Sequence, residues 1–72
     1  MIFDVLPGSE RQLATRLAKY DGARLVDLLE DSNRVLLVLE ARYRRKLAAI
    51  TASAIATAAP YTENVELLPV QN

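Results

Sequence analysis

Apolar and polar positions recur along the chain with two different periods, and the switches between them mark out six elements. Met1 to Leu6 is apolar except at Asp4 and is stopped by Pro7-Gly8, which predicts a short buried strand. Ser9 then stands at an N-cap position with Gln12 three residues on, a capping box whose hydroxyl and amide would satisfy two orphan helix-end amides. Glu10 suits the positive end of the helix dipole. Leu13, Leu17 and Tyr20, with Ala14, share one face at helical spacing while Arg11, Arg16 and Lys19 fall outside it, and Asp21-Gly22 ends the helix.

The period then changes to two. From Ala23 to Glu30, Leu25, Asp27 and Leu29 alternate with Arg24, Val26 and Leu28, as in an extended strand. Asp31-Ser32-Asn33 supplies a turn, and Arg34 to Glu40 is continuously apolar between its charged ends, so the two runs predict a hairpin whose second strand is covered on both faces. Arg42 to Ala59 is alanine-rich and long enough for a helix with Leu47, Ile50, Ala54 and Ala58 on one stripe, ended by Pro60. Val65 to Val70 closes the chain as a strand, and Pro69, which has no amide to donate, places that strand at an edge or at its end.

The order βαββαβ over residues 1–72 predicts one α+β domain of ferredoxin-like type. Right-handed crossovers then place two helices on one face of a four-stranded antiparallel sheet, with the first and third strands central.

Composition narrows the functional classes. Cysteine and histidine are both absent, which removes disulfides, thiolate nucleophiles, imidazole bases and nearly all transition-metal sites. Only Gly8 and Gly22 are glycines, too few for a phosphate-binding loop, so no cofactor and no catalytic activity are expected. Nine basic and nine acidic residues give a net charge of zero, with no overall field to attract nucleic acid. The strands offer only Phe3 for base stacking, and nucleic acid is not an expected partner. No apolar run reaches the roughly 20 residues of a membrane span, and the opening MIFDVLPGSE lacks the pattern of a signal peptide, so the expected location is cytoplasmic.

Two helices cover only one sheet face, yet neither face of the hairpin reads as polar. Val35, Leu37 and Leu39 lie on one side of their strand and Leu36 and Val38 on the other; the neighbouring strand adds Leu25 and Leu29 to one side and Val26 and Leu28 to the other. One set must occupy the open face, and an exposed apolar patch marks an interface. The expected partner-binding residues are Val26, Leu28, Leu36 and Val38, with the carboxylates Asp27, Glu30, Asp31 and Glu40 placed to receive arginines of a basic peptide. Leu37 takes the outward place if the register is opposite. The partner is another polypeptide, either a bound peptide or a second copy that completes its core by stacking two open faces into a homodimer or larger oligomer.

Arg42, Arg44, Arg45 and Lys46, interrupted by Tyr43, cluster at the predicted start of the second helix, where positive charge opposes the dipole. They are candidate anion-binding residues. The simpler reading is a solvated helix end whose arginines pair with Glu40 or Asp31.

Several stretches resemble the NapD family, the small maturation chaperones of periplasmic nitrate reductase. They are Ser9-Glu10-Arg11 opening the first helix, Gly22, the strand ending Val38-Leu39-Glu40-Ala41 and the closing Val65-Glu66-Leu67-Leu68. The likeness runs from about Ser9 to Val70 and consists of hydrophobic pattern, element lengths and the Leu-Glu-Ala tripeptide. It implies the same fold and a sheet that binds a twin-arginine signal peptide, the apolar face holding the hydrophobic region and the acidic side chains receiving the arginine pair. The ending VELLPVQN differs from the Val-Tyr-His-like segment common in that family.

Overall fold

A computed structural model describes residues 1–29 and 32–68. The elements follow in the order β1 (Ile2–Val5), α1 (Glu10–Leu17), β2 (Ala23–Leu29), β3 (Arg34–Leu39), α2 (Arg44–Ala58), a short 3₁₀ turn (Ala59–Tyr61) and β4 (Thr62–Glu66). The four strands form one antiparallel sheet in the order β2-β3-β1-β4, which is the expected α+β ferredoxin-like arrangement with β3 and β1 central.

Both helices pack on the same face. Phe3 and Val5 from β1, Val35 and Leu37 from β3, Leu13 and Leu17 from α1, and Ala54 and Ala58 from α2 form the fully buried core, with Val26, Leu28, Leu39 and Val65 packed around it. Small alanines on α2 let that helix approach the sheet closely, while the larger Leu13 and Leu17 fill the space under α1. Tyr20 ties the helices together: its hydroxyl donates to the Ser53 carbonyl at 2.9 Å and contacts the Thr57 hydroxyl.

Local details depart from the sequence reading. Ser9 makes no side-chain cap, and the Glu10 carboxylate instead accepts from the Gly8 amide at 3.1 Å, so the capping box does not form. Gln12 turns away to donate to the Tyr61 hydroxyl at 3.3 Å. The helix stops at Leu17 rather than at Asp21, its end tightened by i→i+3 bonds from Lys19 to Arg16 and from Tyr20 to Leu17. Helix α2 starts at Arg44, after an extended Tyr43, rather than at Arg42. Strand β4 begins at Thr62, earlier than Val65, because pairing with β1 recruits the polar Thr62, Glu63 and Asn64; Pro69 lies outside the described residues.

Gly22 is the turn on which the α1–β2 connection depends. Its φ is +105°, its carbonyl accepts from the Glu40 amide at 2.8 Å, and a Cβ there would stand 2.8 Å from the Glu40 carbonyl oxygen. Both the backbone conformation and the contact exclude a side chain. Gly22→Ala is therefore expected to lower unfolding stability by about 2–4 kcal/mol, read as a reduced urea midpoint with an unchanged slope.

Candidate functional site

The register of the sheet determines which side chains reach solvent. In an antiparallel pair, residues directly opposite each other project to the same face. Leu28 stands opposite Val35 and Val26 opposite Leu37, so Val26 and Leu28 belong to the helix-covered face with the buried core. That corrects their expected place among the partner-binding residues. Their positions are taken by Leu25, opposite Val38, and Leu29, opposite Arg34. Leu36 and Val38 are on the open face as expected, and Leu37 is fully buried.

The open face is a lattice of three rows. The first crosses all four strands as Leu29, Arg34, Asp4 and Asn64. Here the Arg34 Nε donates to the Asp4 carboxylate at 2.8 Å, and the Asn64 amide reaches its other oxygen at 3.5 Å. The second row is Asp27, Leu36, Ile2 and Glu66, an apolar centre with a carboxylate on each edge strand. The third contains Leu25 and Val38. On this face Leu25 is 49% exposed; Leu67 and Leu68, which follow β4, are exposed as well. Among the described residues, the paired positions of this face carry the carboxylates Asp4, Asp27 and Glu66 and the guanidinium of Arg34, which is engaged with Asp4. No aromatic ring lies on this face among the described residues, since Phe3 is buried on the other side.

The remaining candidates are placed as follows. Asp27 lies on the open face, at the β2 edge. Glu40 follows β3 and forms an exposed ion pair with Arg24 at 3.0 Å, so it is not the partner of the arginine cluster. Glu30 and Asp31 lie outside the described residues. Arg42, Arg44, Arg45 and Lys46 are all exposed, away from the Asp27–Glu66 row; of these, Lys46 meets Asp21 at 3.7 Å and the other three form no ion pair among the described residues. The sequence reading named Leu25 and Leu29 as one of two sets that could face outward but chose the other, and it missed Ile2, Asp4 and Glu66. The alternation of β1 and β2 contained part of that signal, but the face could be assigned only once Phe3 and Val35 were known to be buried.

The site carries little unusual electrostatics. All eight fully buried side chains are apolar, and among the described residues no buried side-chain polar atom lacks a partner. Desolvation lowers the pKa of the Met1 amino group, which donates to the Leu37 carbonyl at 2.9 Å beside the central strands. No group of three or more potential metal ligands occurs among the described residues, and no described helix is long and apolar enough to cross a membrane. The surface offers apolar area bounded by carboxylates.

Comparison with known proteins adds no identity: no protein-family model, no curated protein and no solved structure matches the chain.

The face assignment makes adjacent β3 positions respond oppositely to charge. Leu37→Lys buries an unpaired ammonium in the core and is expected to cost about 4 kcal/mol or more, leaving the chain unfolded by circular dichroism. Val38→Lys projects into solvent and is expected to change stability by no more than about 1 kcal/mol.

Proposed function

We propose that this chain is a non-catalytic polypeptide-binding module of chaperone type, and that its open sheet face takes an apolar segment flanked by basic residues, the chemistry of a twin-arginine signal peptide. The observation that carries this reading is the row Asp27, Leu36, Ile2, Glu66, in which an apolar strip is bounded on both edges by carboxylates.

Three inter-strand spacings separate β2 from β4, so those carboxylates stand roughly 14 Å apart at the backbone. A helix with its side chains is about 10–12 Å across and fits between them. Its apolar stripe would cover Leu36, Ile2, Val38 and Leu25, and arginines beside the stripe would reach Asp27 and Glu66. Charge-assisted bidentate pairs would fix the direction of the peptide, while apolar burial would supply most of the affinity. The likeness to the NapD family supports the same reading, and a precursor bound before export would place the protein in the cytoplasm.

A second reading is self-association through the same face. It draws on the apolar side chains of the open face, Leu25, Leu36, Val38 and Ile2, of which Leu25 is exposed. A homodimer stacking two such faces would bury them.

Light scattering with and without a synthetic twin-arginine signal peptide separates the two. The expected result is a monomer or weak dimer that gains one peptide per chain. Asp27→Lys combined with Glu66→Lys should weaken binding about tenfold or more, and Leu36→Glu should abolish it while leaving the fold intact. A salt-insensitive oligomer that ignores the peptide would establish the second reading and remove the first.

A further inference from the structure

The helix layer, on the opposite side of the molecule from the proposed peptide site, carries a charge of the other sign. Arg11, Arg16, Lys19, Arg44, Arg45 and Lys46 are exposed there, while among the described residues the acidic side chains in the same layer are Glu10, engaged by the Gly8 amide, and Asp21, paired with Lys46. A chain with no net charge is thus divided into an acidic sheet face and a basic helix layer.

Helix α2 adds an apolar component beside that charge. Its flank forms an open groove of about 420 Å³ lined by Arg44, Leu47, Ala48, Thr51, Ala52 and Ile55. The groove is lined mainly by carbon, and its one charged wall is Arg44. Tyr43, 67% exposed, stands at the head of the same helix. Ala48, Ala49, Ala52 and Ala56 are exposed along this helix beyond its first turn, with Ser53 the one exposed polar side chain among them.

We propose that this side of α2 docks on an anionic lipid surface. Basic side chains would meet the headgroups, Tyr43 would sit at the headgroup level, and Leu47 and Ile55 with the adjoining alanines would enter the upper acyl region. A purely electrostatic partner, whether nucleic acid or an acidic polypeptide, would use the cations but not the apolar groove next to them. The flat helix layer of a body 34 × 22 × 18 Å suits a plane, and docking through it leaves the acidic sheet face turned away from the negatively charged surface. The inference uses the opposite layer from the peptide site and stands whether or not that site binds a peptide.

The test is co-sedimentation of the full chain with vesicles of phosphatidylcholine alone and of phosphatidylcholine with roughly one-third phosphatidylglycerol, a fraction that gives a negative surface potential. The expected result is binding to the anionic vesicles only. Arg44→Glu with Arg45→Glu should weaken it by about tenfold or more, in keeping with the contribution of each basic residue near such a surface. Ala48→Glu with Ala52→Glu, both at exposed positions and both keeping a good helix former, should weaken it several-fold with an unchanged circular dichroism spectrum. Absence of binding, or equal binding to both vesicle types, would overturn the proposal. So would insensitivity to the alanine substitutions combined with full competition by duplex DNA or polyglutamate, which would make the surface a general polyanion site.

Discussion

The pairing of β2 with β3 is the constraint on which the surface of this protein depends. Val35 and Leu37 are fully buried, so the residues opposite them, Leu28 and Val26, must face the helices. A slip of one residue would turn the whole of β2 over. The irregularity between Ala23 and Leu25 absorbs the offset where the strand leaves Gly22, and the Gly22 carbonyl remains bonded to the Glu40 amide at the far end of β3. With that register fixed, Asp27 lies beside Leu36 and Leu25 beside Val38, and the open face acquires its apolar centre and acidic margin.

Two layers also explain how a chain balanced in charge can present strongly different surfaces. The sheet keeps Asp4, Asp27 and Glu66 on its outer side, and the helices carry most of the cations. Among the described residues the ion pairs are few and exposed: Arg24 with Glu40, Arg34 with Asp4, and Lys46 with Asp21. Pairs of this kind contribute little to stability. The fold itself rests on the apolar layer between sheet and helices.

Much of the architecture was legible in the sequence because its strongest signals are local. The apolar run of β3, the stripe Leu47, Ile50, Ala54, Ala58 of α2 and the left-handed glycine before β2 each point to one conformation. The capping box at Ser9 does not form because its members are engaged elsewhere: the Ser9 amide donates to the Leu6 carbonyl at 3.0 Å and the Gln12 side chain to the Tyr61 hydroxyl at 3.3 Å. Thr62 and Asn64 have no strand-like pattern of their own and are extended because they pair with Val5 and Asp4 of β1, with Glu63 at the irregularity between them. The site was half legible for a similar reason. Leu36, Val38 and Asp27 stand out as apolar or acidic positions on short strands, but membership of one face or the other is a property of pairing, and Val26 and Leu28 alternate as well as Leu25 and Leu29 do.

The place of β1 in the sheet bears on how the chain reaches this state. It precedes the other three strands in the sequence, yet it is central, and one of its two neighbours is β4, whose Asn64 pairs with Asp4 some sixty residues away. The β2–β3 hairpin can close by itself within microseconds, and β1 can then add to β3, but its other edge stays open until Thr62–Glu66 has left the ribosome. During that interval the growing chain presents an unpaired edge beside the apolar side chains of Ile2 and Leu36, and the strand that closes it can equally come from a neighbouring chain. Late arrival of β4 therefore makes strand exchange between nascent copies the characteristic misfolding hazard of this topology.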